Sequence, residues 1–118
     1  MIIRIFVENL ASMITPLAVT EIIDTIVSGY QPEKVIFFGS YARDKHTNDS
    51  DLDLLIVKDT DQSFVQRQRT VRSLFEKQSF PMDILIYTPT EFEKCKNWLN
   101  NIINIAIKTG KVVYERGN

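Results

Sequence analysis

Two aspartates interrupt an apolar, strand-length run: "DLDLLIV", residues 51–57, sets Asp51 and Asp53 among leucine, isoleucine and valine. A carboxylate taken out of water is costly unless something pairs with it. Alternation along a strand puts Asp51, Asp53, Leu55 and Val57 on one face and Leu52, Leu54 and Ile56 on the other. The acids therefore sit together at the start of a strand whose same face turns apolar further on. Two unit charges about 4 Å apart at an effective dielectric of about 20 repel by on the order of 4 kcal/mol. A hard cation such as Mg2+, which takes carboxylate and phosphate oxygens together, removes that cost.

The run has a frame. "KVIFF" (34–38), between Pro32 and Gly39, predicts a buried strand before it. Upstream, Thr15 is the expected N-cap and Pro16 the first residue of a helix carrying Leu17, Val19, Ile22, Ile23, Ile26 and Val27 at helical spacing. Gly29 is its expected left-handed C-terminal residue. Asp61 is the expected cap of a second helix, with Phe64, Val65, Gln68, Val71, Leu74 and Phe75 on one face. "MDILIY" (82–87) predicts a third strand. "TPTE" (88–91) reads as a capping box opening one helix that runs to about Lys108 and buries Phe92, Leu99, Ile102, Ile103 and Ala106. Thr109-Gly110 ends it, and "KVVYE" (111–115) predicts a short edge strand. Residues 1–12 read equally as strand or helix. The order predicts an α+β fold, a small mixed β-sheet packed with helices, as a single domain over 1–118.

A third acid repeats the oddity. Asp83 opens the third strand with Leu85 and Tyr87 on its face, so neighbouring strands would bring three carboxylates to one end of the sheet. Three convergent acids hold two metals about 3.5–4 Å apart, clamping attacking and leaving oxygens in phosphoryl or nucleotidyl transfer. Gly39 and Ser40 follow the first strand directly. Glycine admits a phosphate close to backbone, and a serine hydroxyl donates to its oxygens. Arg43 adds a charge-assisted contact.

Bulk properties narrow the partner. Fourteen basic against 15 acidic residues, net charge −1, lack the basic excess of proteins that grip long nucleic acid, so a small or metal-bridged phosphate is expected. One cysteine, Cys95, excludes an internal disulfide and a Cys-based zinc cage. "MIIRIFVENLASM" is broken by Arg4, Glu8 and Asn9, and no run approaches the about 20 apolar residues of a membrane span. The expectation is a cytoplasmic protein with no membrane contact.

"GSYAR", ten residues between Ser40 and Asp51, then "SDLDL" and a later lone strand aspartate closely resemble the nucleotidyltransferase superfamily that includes DNA polymerase beta. The short chain and the form of the motif look most like its minimal nucleotidyltransferase branch, over about 35–87 by motif and elsewhere by element order. Asp44 stands where the family commonly has glycine. The resemblance implies the polymerase beta-like fold, ATP as donor and two Mg2+ ions. Asp51, Asp53 and Asp83 become metal ligands and catalytic residues, with Asp83 as base, and Gly39, Ser40 and Arg43 contact the triphosphate. It further implies an antitoxin that adenylylates a tyrosine of a HEPN-domain ribonuclease toxin, with room for a homo- or hetero-oligomer.

Duller readings compete. A calcium loop from Asp49, Asp51 and Asp53 fails because Leu54 stands where glycine is needed and Thr60 where glutamate is needed. Glycosyltransferase DxD folds are far longer. His46 reads as an exposed loop residue, Trp98 as core, Cys95 as unreactive, and Arg67, Arg69 and Arg72 as a solvated helix face. Two other functions stay open: an antitoxin acting by binding alone, and a nucleotidyltransferase of small, antibiotic-type molecules.

Overall fold

The computed structural model describes residues 16–38, 52–75, 82–96 and 102–117. Their elements, in chain order, are α1 (Pro16–Tyr30), β1 (Lys34–Phe38), β2 (Leu52–Val57), α2 (Phe64–Arg72), β3 (Met82–Tyr87), α3 (Pro89–Cys95), α4 (Ile102–Thr109) and β4 (Lys111–Glu115).

Leu54, Leu55 and Ile56 of β2 are fully buried in succession, which demands cover on both faces of the sheet. The strands lie in the order β3-β2-β1-β4, with β2 inside. β1 pairs antiparallel with β2 and with β4, whereas β3 runs parallel to β2. This is the mixed sheet expected, with β4 at its edge. On one face Val35, Phe37, Leu54, Ile56, Ile84 and Ile86 pack with Ile22, Ile23, Ile26 and Val27 of α1 and Val71 of α2. On the other, Ile36, Phe38 and Leu55 pack with Ile103 and Ala106 of α4, flanked by Phe92 and Cys95 of α3. Among the described residues no helix is long and apolar enough to cross a membrane.

Three local expectations change. α1 runs through Gly29 to Tyr30, and the left-handed residue is Gln31, at φ 52°. Gly29 serves close packing instead: a Cβ there would lie 2.8 Å from Leu74 Cδ2. Ser63, rather than Asp61, caps α2, in a capping box with Gln66. The segment after Thr88 forms two helices, not one. Asn104 Nδ2 donates to Lys96 O at 2.7 Å, a contact that a continuous helix, placing residues eight apart about 12 Å apart, would forbid. The Thr88–Glu91 capping box and Pro89 at the first turn are present as expected.

The largest departure is Arg67. It is 6% exposed, while Phe64 and Val65, expected inside, are 46% and 60% exposed. Its Nε donates to Gln62 O at 2.9 Å, Nη1 to Ile86 O at 3.2 Å and to Glu91 Oε1 at 2.8 Å, and Nη2 to Glu91 Oε2 at 3.3 Å. Hydrogen bonding from Arg67 holds the Glu91 carboxyl below its ordinary value, against an opposing push from burial.

The end of α4 presses on β1. A Cβ at Gly110 would meet Ala106 O at 2.3 Å and Phe37 O at 2.5 Å, so Gly110→Ala should cost about 1–3 kcal/mol in urea unfolding. Arg67→Met leaves Ile86 O unpaired in the interior and should cost about 3 kcal/mol by the same measurement. The pH response has a definite sign. Glu91 stabilises the fold fully above its ordinary pKa of 4.5, and that contribution is lost as pH falls through the lower folded-state value. Glu91→Gln should flatten the wild-type loss of stability in that window.

Candidate active site

Pairing across the sheet creates rows of side chains on the face covered by α3 and α4. Phe38 pairs with Asp53, and Asp53 with Asp83; the next row is Ile36, Leu55 and Leu85. Leu55 and Leu85 belong to the same apolar cluster, which places the two aspartates side by side on that face. β1 ends at this row while β2 and β3 begin near it, so the outgoing end of one strand meets the incoming ends of two others. Phe38, which covalently precedes Gly39, lies in the row at 6% exposure. Asp53 is half-buried and Asp83 exposed.

Of the residues singled out from sequence, Asp53 and Asp83 are thus brought together. Asp51, Gly39, Ser40, Arg43, His46, Trp98, Thr15 and residues 1–12 lie outside the described residues.

Neighbouring strands lie about 4.8 Å apart. At that separation an effective dielectric of about 20 gives a repulsion near 3 kcal/mol, whereas like charges directly opposite on strands typically cost below about 1 kcal/mol. Exposure of Asp83 favours the smaller figure. The donor chemistry suits a hard cation: oxygen only, anionic, adjacent, and open to solvent on the Asp83 side. On the other side the Phe38 ring lowers the local dielectric and strengthens any charge interaction that Asp53 makes.

An open depression of about 450 Å³, lined by Pro89, Thr90, Glu93 and Lys94, lies on α3. It follows the opposite end of β3, about 13 Å along the strand from Asp83, and is not part of the carboxylate row. Sequence reasoning passed over Phe38 as a site wall. Its signal was its place immediately before Gly39.

Residues 19–108 match the family model described as a nucleotidyltransferase domain. The chain is 32% identical over 99 residues to the protein named "Putative protein adenylyltransferase" of Methanocaldococcus jannaschii, a match covering 82% of this chain and 95% of that one. A crystal structure described as a putative nucleotidyltransferase of Sulfolobus solfataricus is similar in fold, with TM-score 0.59 and 21% identity over 83% of this chain and 78% of that one. So is a toxin–antitoxin crystal structure with AMP-PNP, with TM-score 0.60 and 14% identity over 82% of this chain and 73% of that one.

Replacing Asp83 by Asn removes one of the paired charges. Without divalent cation, Asp83→Asn should raise stability by a few tenths of a kcal/mol, up to about 1, in low-salt urea unfolding. A loss of stability instead would mean that the carboxylate holds the strand.

Proposed function

This chain belongs to the nucleotidyltransferase domain family, and on that premise we propose that it moves AMP from ATP to a tyrosine hydroxyl of a HEPN-domain ribonuclease toxin, acting as its antitoxin. The observation that carries the reading is the pairing of Asp53 with Asp83 at the end of the sheet where β1 finishes at Phe38. The name of the Methanocaldococcus relative supports protein as acceptor, and the toxin–antitoxin structure with AMP-PNP supports the partner class and the nucleotide.

In this reading Asp51, Asp53 and Asp83 hold two Mg2+ ions. The ions, when bound, supply charge neutralisation at the phosphate oxygens and acidify the attacking hydroxyl. Gly39 lets the triphosphate approach the backbone, Ser40 donates a hydrogen bond to it, and Arg43 adds a charged one. Asp83, on the open side of the row, accepts the proton of the acceptor hydroxyl. The oxygen then attacks the α-phosphorus, the bond to the bridging oxygen breaks, and pyrophosphate leaves. Phe38 walls the half-buried side, where exclusion of water makes the placed charges count for more.

Co-expression of the partner with wild type or Asp53→Asn, followed by intact mass spectrometry, tests the transfer. A mass gain in steps of AMP is expected with wild type only. Toxicity suppressed equally by both forms, with no mass gain, would make the protein an antitoxin by binding alone. Protection from a drug with no toxin present would point to a small-molecule acceptor. Mg2+ with ATP should also raise Tm, by the equivalent of about 2.7 kcal/mol at a hundredfold excess over Kd, and Asp53→Asn should abolish the shift.

A further inference from the structure

An edge strand presents a row of backbone groups with no strand to pair them. On β3, α2 fills that row. Tyr87 O accepts from Lys58 N on the β2 side, so the odd-numbered carbonyls of β3 face β2 and the even-numbered ones face outward. Three successive outward carbonyls each receive a side-chain donor. Arg72 Nη2 donates to Met82 O at 3.4 Å, Gln68 Nε2 to Ile84 O, and Arg67 Nη1 to Ile86 O at 3.2 Å. Between Arg72 and Gln68 the spacing matches, since four helical residues rise about 6 Å while two strand residues advance about 6.7 Å. Arg67 adjoins Gln68 on the helix, and its longer side chain reaches the next outward carbonyl.

Met82 and Ile84 flank Asp83. Among the described residues no hydrogen bond or ion pair holds the Asp83 carboxylate itself, and what places it beside Asp53 there is the register of the β3 backbone. Burial of Val71 fixes how closely α2 sits on the sheet, but apolar contact has no direction along the strand. Hydrogen bonds do. We propose that Gln68 and Arg72 are positioning residues for Asp83: by holding the carbonyls on either side of it, they lock the register of β3 and keep its carboxylate beside that of Asp53 for a shared divalent cation. The inference rests on the reading of Asp53 and Asp83 as cation ligands. A slip of one residue would turn Asp83 to the α1 and α2 face, and a slip of two would carry it about 6.7 Å from Asp53. Arg67, at Ile86, grips the same strand away from the acid and supplies an internal control.

The test is Mn2+ binding by the full chain, followed by electron paramagnetic resonance, with urea unfolding in parallel. Gln68→Leu combined with Arg72→Met should raise the Mn2+ Kd about tenfold, the scale of losing a group that orients a ligand. It should add nothing in an Asp83→Asn background. Gln68→Leu alone should give a smaller shift in the same direction, and Arg72→Lys, which keeps a donor, should restore affinity relative to Arg72→Met. Arg67→Met should lose stability and keep wild-type Mn2+ affinity. Wild-type affinity in the double variant, an equal weakening by Arg67→Met, or additive effects with Asp83→Asn would each overturn the inference. Wild type that binds no Mn2+, or binds it equally after Asp53→Asn, would overturn the cation site and this inference with it.

Discussion

The parallel pairing of β3 with β2 is the constraint on which the arrangement turns. Parallel neighbours cannot be joined by a tight hairpin and need a crossover, which here carries α2. The same direction brings the beginnings of both strands to one end of the sheet, and with them Asp53 and Asp83. An antiparallel β3 over the same span would set Asp83 beside Ile56, about 10 Å along β2 from Asp53. β1, running the other way, delivers Phe38 to that end. A polar end on an apolar sheet is thus a product of strand direction and order.

Arg67 makes the crossover specific. Taking a guanidinium out of water costs several kcal/mol, and only a complete set of partners offsets it. The set here spans three elements: Gln62 O before α2, Ile86 O on β3 and the carboxylate of Glu91 on α3. Glu91 Oε1 also accepts from Thr88 N at the start of α3. One arginine–glutamate pair therefore ties the helix before β3 to the helix after it. The Glu91 side chain is 40% exposed, so the carboxylate stays partly hydrated and the pair avoids the full cost of burying two ions.

Much of this was legible in the residues, and the failures share a cause. Strands β1, β2 and β3 follow from short β-branched and aromatic runs, and the alternation in "DLDLLIV" placed Asp53 on the face of Leu55, where it is. Thr88, Pro89 and Glu91 announced a helix start because capping is local chemistry. Arg67 was read as solvated because charge marks a surface until partners outside its own helix are known, and Ile86 O and Glu91 lie 19 and 24 residues away. Phe64 and Val65 were drawn inward by their hydrophobicity when the helix in fact turns Arg67 and Val71 to the sheet. The break between α3 and α4 was missed because apolar spacing continued through it. Aspartate convergence could be anticipated only as a condition, that the strands be neighbours; register is a tertiary fact.

On the proposed reading, the row of acids also dictates how nucleotide and cation must bind. A triphosphate is strongly anionic and would approach carboxylates on a chain whose net charge is already −1. Neither the row alone nor the nucleotide alone gives a cation a full shell of hard oxygens: two strand carboxylates leave positions open, and phosphate oxygens fill them. Each ligand thus removes what makes the other unfavourable, the cation by cancelling repulsion and the nucleotide by completing coordination. Coupling of that kind is reciprocal by thermodynamic necessity, so whatever factor Mg2+ adds to ATP affinity, ATP adds to Mg2+ affinity. The size of that factor depends on how closely Asp83 is held to Asp53, because a cation shared between two carboxylates is sensitive to their separation. The hydrogen bonds of α2 on the outer edge of β3 therefore bear on nucleotide binding while α2 itself packs on the opposite face of the sheet.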